Sequence, residues 1–167
     1  SPFSGIWENI IHQEEDDLPE DTRALVREYL FPKLKKLFLS VAGKGLIFQL
    51  AKSKTFRTSN LQQINITSDD IKPSFDIIKS NGSIEIKATV KAGGLLLDLK
   101  DNEAGTPLFY LYNHQLFVWK DQHTCEVAES FFPVGSMKTN FADWSNVLQQ
   151  QVLPLTKEYK VNFDKSL

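Results

Sequence analysis

The stretch Ser74–Lys91 constrains the fold of this chain more than any other. Its centre, Ser80-Asn81-Gly82-Ser83, carries an Asn-Gly pair, which tolerates positive φ at both central positions of a tight hairpin turn. After the turn Ile84, Ile86, Ala88 and Val90 alternate with Glu85, Lys87, Thr89 and Lys91. A period of two places the first set on one face and the second on the other, which predicts a half-buried antiparallel strand. Ser74–Lys79 supplies its partner across the turn. A lone hairpin is marginally stable in water, so the rest of the chain must cover its apolar face.

The flanking sequence supplies candidate covers. Phe3, Ile6, Trp7, Ile10 and Ile11 have helix-like spacing within an otherwise irregular segment 1–16, read as a short docked helix or as a terminal segment packing its apolar side on the core. Asp17-Leu-Pro-Glu20 reads as a helix start, with Asp17 as cap, Pro19 in the first turn and Glu20 at the capping-box position. Leu25, Val26, Tyr29 and Leu30 form an apolar stripe that Leu34, Leu37 and Phe38 continue. Pro32 removes a hydrogen bond to Glu28, so a kink or a restart is expected there. After Gly43 and Gly45 the period drops to two over residues 46–51. Strands follow at Leu61–Thr67 and Leu95–Leu99. A second, aromatic hairpin pairs Leu108–Tyr112 with Gln115–Lys120 around Asn113-His114. Thr124–Phe132 is a short helix or extended link, and Pro133-Val-Gly135 is a turn. Asn140 then caps a helix whose apolar positions are Phe141, Trp144, Leu148, Val152 and Leu155, with Pro154 kinking or ending it. Lys160–Phe163 is a terminal strand. The sum is an α+β fold: an antiparallel sheet of about five to seven strands with an N-terminal and a C-terminal helix packed on it.

The 167 residues suit a single α+β domain spanning 1–167. The chain opens on Ser rather than Met, which suggests a segment excised from a longer protein. One cysteine, Cys125, excludes an internal disulfide and favours a reducing, cytoplasmic compartment. No run approaches 18 apolar residues, so no membrane span is expected. No signal peptide is visible at the start.

The formal net charge of −2 conceals an asymmetry. Residues 8–28 hold eight acids and two bases. Residues 29–68 hold seven bases, Lys33, Lys35, Lys36, Lys44, Lys52, Lys54 and Arg57, and no acid. Bases interleaved with apolar positions suit a face that contacts phosphates, and sixteen Lys against three Arg suit loose backbone contact better than base reading. A solvated helix face followed by a turn explains the same residues. The open question is whether Lys33–Arg57 faces solvent as a patch or pairs with Glu8–Glu28.

Catalytic and metal motifs do not emerge. His123 and Cys125 are two residues apart, but a structural zinc site needs four ligands and no further ligand pattern accompanies them. Ala42-Gly43-Lys44-Gly45 lacks the earlier Gly and the following Ser or Thr of a phosphate-binding loop, and reads as a helix end turning into a strand. Asp69-Asp70 and the acids of 14–17 sit in polar stretches, where a helix cap and solvated turns explain them. Asn65-Ile-Thr67 and Asn81-Gly-Ser83 match the glycosylation pattern, which a cytoplasmic chain would leave unused. No cofactor motif is present.

The element order over residues 60–167 resembles a known region. A strand pair comes first (Ser74–Lys79, Ser83–Val90). Thr106-Pro-Leu-Phe-Tyr-Leu-Tyr112 and Gln115-Leu-Phe-Val-Trp-Lys120 follow. Then come Phe131-Phe132 and a helix ending Val152-Leu-Pro-Leu-Thr-Lys-Glu-Tyr-Lys-Val-Asn-Phe163. This order resembles the non-catalytic region that precedes the motor in bacterial SWI/SNF-family helicases. The resemblance implies a parent that is a DNA-dependent ATPase translocating on duplex DNA. The chain lacks that motor's Walker A, DExH-type box and arginine motifs, so no catalytic residue carries over. What carries over is an accessory role, with duplex DNA and the motor domain of the same chain as partners and the nucleoid as location. The residues also allow a second reading: a stand-alone ligand-binding domain with an apolar pocket lined by Tyr110, Tyr112, Phe117, Trp119 and Trp144.

Overall fold

The computed structural model describes residues 20–45, 47–50 and 61–165. The predicted docking of Phe3–Ile11 and the cap at Asp17 lie outside them, as does the side-chain alternation over 46–51. Helix α1 (Glu20–Val41) is followed by β1 (Ile47–Leu50), β2 (Leu61–Ile71), β3 (Pro73–Ser80), β4 (Ser83–Ala92) and β5 (Leu95–Asp98). Next come β6 (Tyr110–Tyr112), β7 (Gln115–Trp119), α2 (Gln122–Glu129) and β8 (Ser136–Asn140). The chain closes with α3 (Trp144–Val147), a π-helical turn (Leu148–Val152), α4 (Leu153–Thr156) and β9 (Val161–Phe163).

The fold is α+β, and the strands form two sheets. The first has the order β1-β2-β7-β6 and the second β5-β4-β3-β9, with β8 also paired to β4. The expected single antiparallel sheet of five to seven strands is corrected in two respects. Nine strands are present among the described residues, and the β2·β7 and β3·β9 pairs are parallel. Parallel partners lie far apart in sequence, so local pattern could not announce them.

The hairpin β3–β4 forms as its sequence dictates, with Ser80 opposite Ser83 and Gly82 at φ +80°. Ile84, Ile86, Ala88 and Val90 are all buried, as are Phe75 and Ile77 on the partner strand. Fully burying a side chain of this size contributes about 1.5–3 kcal/mol, so this face dominates the core. The free edge of β4 is shared: β8 pairs with Ser83–Lys87 and β5 with Thr89–Ala92. Between them the Ala88 N–H donates to the Gly135 carbonyl at 2.8 Å. Gly135 has φ +78°, and a Cβ there would sit 2.7 Å from the Lys100 backbone nitrogen, so only glycine fits. β8 replaces the expected run-up to a helix at Asn140. Its register against β4 holds Ser136–Asn140 extended, and the helix starts only at Trp144. Phe141 therefore lies in a turn, exposed, with the Lys79 ammonium 5.4 Å from its ring.

The second hairpin, β6–β7, turns through Asn113 (φ +47°) and His114 (φ +62°), so His114 is a turn residue. The β2 and β3 strands are separated by Lys72 alone, and there the chain passes from one sheet to the other. Pro73 has no N–H to extend the ladder of β2. Buried residues from both sheets, α1 (Phe31), α2 (Cys125, Ala128), Val152 and Tyr159 form one hydrophobic cluster.

Helix α1 runs through Pro32, so of the kink or restart expected there the restart does not occur. The proline is exposed and its neighbour Phe31 is buried at 3% exposure, so packing on one side offsets the hydrogen bond lost beside it. The buried face of α1 also differs from the one predicted. Leu25 and Tyr29 are 65% exposed and Leu37 is 53% exposed. Phe31, outside the predicted stripe, faces the body, and Phe38 of that stripe packs edge-on to the Phe109 ring at 5.3 Å. At the other end, the π-helical turn lies just ahead of Pro154, whose missing N–H is absorbed by the widened turn, and the helix continues to Thr156.

Candidate nucleic-acid interface

The seven predicted basic residues separate into distinct environments. Lys35 points inward. Its ammonium donates to Asp70 Oδ1 at 2.9 Å, to the Trp119 carbonyl at 3.0 Å and to the Lys120 carbonyl at 2.5 Å. It fastens α1 to the ends of β2 and β7, and its donors are spent there. Lys33 and Lys36 are exposed on α1. The Lys33 ammonium stands 3.9 Å from the centroid of the exposed Tyr29 ring, a cation–π contact that leaves its other side in water. Lys44 is exposed in the turn between α1 and β1, flanked by Gly43 (φ +72°) and Gly45 (φ +61°). This turn is the helix end expected from sequence. Lys52, Lys54 and Arg57 lie outside the described residues.

Of the acids in the 8–28 stretch, those at 8–17 lie outside the described residues. The partner of Lys35 is Asp70 on β2, not an acid of the 8–28 stretch. Within that stretch, Arg27 pairs with Glu126 and Glu129 on α2. No described carboxylate forms an ion pair with Lys33, Lys36 or Lys44.

Lys36 lines a cleft of about 490 Å³ between α1 and the β7–α2 turn. Phe31, Pro32 and Leu39 form its apolar wall, and Lys35, Lys36 and Lys120 its cationic rim. A second cleft of about 290 Å³ adjoins, and Lys120 lines both. Lys72 lines the second, together with Asp121, Thr124, Glu158 and Tyr159. Sequence reading missed Lys72 and Lys120. Each stands alone in its own stretch, and only the parallel register Ile71↔Trp119 sets the two side by side. The bond from the Lys120 N–H to the Ile71 carbonyl, at 2.9 Å, fixes that junction.

The electrostatics beside the clefts are set by the cap of α2. Burial pushes the Asp121 carboxyl upward, but the N–H and hydroxyl of Thr124 donate to it at 2.8 and 2.7 Å and outweigh burial. The net pKa is lowered, so Asp121 is anionic and its Oδ1 is occupied as a cap.

Other candidate residues are accounted for by packing. Cys125 is fully buried, and burial pushes its thiol up to about 12. His123 on the same helix is exposed, 3.8 Å from Glu126 and 3.6 Å from Glu158, so it does not share a face with Cys125. Among the described residues no group of three or more His, Cys, Asp or Glu is placed to hold a metal ion. The aromatic side chains proposed to line a pocket are mostly core. Tyr110, Phe117 and Trp119 are buried, and Tyr110 packs edge-on against Trp119 at 6.3 Å. Their polar atoms are satisfied: Tyr110 donates to the Asp98 carbonyl at 2.9 Å and Trp119 Nε1 to the Pro107 carbonyl at 2.7 Å. No helix among the described residues is long and apolar enough to cross a membrane. No protein-family model, curated protein or solved structure matches the chain.

Proposed function

We propose that this chain is a non-catalytic accessory module, of the kind that precedes the motor in bacterial SWI/SNF-like DNA-dependent ATPases, and that it rests on the phosphate backbone of duplex DNA. The observation that carries the reading is the outer face of α1. Lys33 and Lys36 are exposed there without an ion-pair partner among the described residues, beside the exposed Leu25 and Tyr29. Lysine is a flexible point charge, so contact of this kind orients the module on DNA without reading bases. The motor lobes of the same chain are the second partner in this reading.

The test is a fluorescence titration with duplexes of unrelated sequence at low salt. The expected result is binding that ignores sequence and weakens as salt rises, because lysines that neutralise phosphates release condensed counterions. Changing Lys33 and Lys36 together to Glu weakens binding to every duplex equally. No binding at a protein concentration of about 100 µM, the weak limit for non-specific contact, overturns the DNA reading.

A further inference from the structure

We infer that the phosphate-contacting surface is a track that leaves α1 at Lys36, crosses the β7–α2 turn at Lys120 and reaches Lys72 at the β2–β3 junction, following one strand of a duplex. The inference rests on the DNA reading above and names the residues that carry it. Three separate elements contribute these ammonium groups. The Lys36 cleft and the Lys72 cleft meet at Lys120, which lines both. All three lysines are exposed, and no described carboxylate forms an ion pair with any of them.

The two clefts are not equivalent. No carboxylate lines the first, and the Asp70 beside it is held by Lys35. Asp121 and Glu158 line the second with Lys72. A phosphate is therefore favoured at the Lys36–Lys120 cleft, where the apolar wall of Pro32 and Leu39 can take the sugar edge next to it. Lys72 adds a weaker contact, because the two nearby acids repel the same phosphate. Lys35 also lines the first cleft but is no part of the track, since its donors are already bonded.

The test reads lysine accessibility in the intact chain. Acetylation with an amine-reactive ester is followed by mass spectrometry, with and without a duplex, at low salt. The expected result is that DNA protects Lys36 and Lys120 several-fold and Lys72 less, while Lys91 and Lys138, exposed on the second sheet, keep their rates. Lys36→Gln and Lys120→Gln each lower the slope of log affinity against log salt by about 0.9. Binding to DNA with unchanged rates at Lys36 and Lys120 overturns the track and leaves the DNA reading standing. No binding at all overturns both. Equal protection by a mononucleotide at the same phosphate concentration identifies a small-phosphate pocket and also overturns the track.

Discussion

Replacing Lys35 with Met separates a lysine that holds the fold from the lysines proposed to meet DNA. The substitution keeps an unbranched stem along α1 and removes the ammonium. Three acceptors lose their donor: Asp70 Oδ1 and the carbonyls of Trp119 and Lys120. The Asp70 side chain is 48% exposed, so that arm contributes only about 0–1 kcal/mol. Hydrogen bonds from a charged donor to the two carbonyls contribute about 1.5–3 kcal/mol each when well shielded. The Lys35 side chain is 20% exposed and Lys120 is exposed, so water can replace the ammonium at the Lys120 carbonyl, and the low end, about 1.5 kcal/mol, applies to the two bonds together. The expected loss is about 1.5–2.5 kcal/mol in total. With an m-value of about 2 kcal/mol/M, the urea midpoint falls by about 1 M at unchanged slope. At a urea-free temperature where both proteins are folded, the salt dependence of DNA binding stays that of the wild type. An unchanged midpoint refutes the staple, and a salt slope reduced by about one shows that Lys35 meets a phosphate instead.

Three further outcomes follow from the packing. Asp121→Ala removes the cap of α2 and lowers stability by about 1 kcal/mol at neutral pH. Because the folded-state pKa of Asp121 is lowered, its ionic contribution is present above about pH 4 and is lost as pH falls through the folded value. The gap between wild type and variant in urea melts therefore narrows in acid, and a gap that widens there contradicts the cap. Cys125, with its thiol pushed up to about 12, reacts with an aromatic disulfide reagent at pH 8 only as fast as the chain opens, and immediate labelling in native buffer contradicts its burial. Gly135→Ala costs more than Gly82→Ala in thermal melts. Both glycines have positive φ, but a Cβ meets the Lys100 backbone only at Gly135 and meets nothing within 4 Å at Gly82. Equal costs would mean the close approach is relieved for free.

Parts of this molecule were legible because their signals are local. The β3–β4 hairpin follows from a period of two and one Asn-Gly turn, and the β6–β7 hairpin from an aromatic run broken by Asn113-His114. The end of α1 follows from two glycines. What escaped depends on distant partners. Helix α1 carries large apolar side chains all round, so the sequence could not say that Phe31 packs while Leu25, Tyr29 and Leu37 face water. The polar strand Ser136–Asn140 has no pattern of its own and exists because β4 has a free edge there. The basic site was half legible. Lys33 and Lys36 are where a basic, apolar-interleaved helix puts them. Lys35, one residue away, is turned under the helix by acceptors that lie 35 to 85 residues further along. Lys72 and Lys120 meet only through the parallel pairing of Ile71 with Trp119, equally remote in sequence from local pattern.

Salt-dependent binding to duplex DNA is the most direct measurement of whether this surface contacts phosphates. With full phosphate contacts at Lys33, Lys36 and Lys120, and Lys72 adding little beside its two acids, log affinity falls linearly with log salt at a slope of about −2.7. Affinity then drops about 40-fold between about 50 and 200 mM salt, alike for unrelated sequences. A flat salt dependence, or no binding at the low-salt end, contradicts the phosphate face on α1 and the track that extends it.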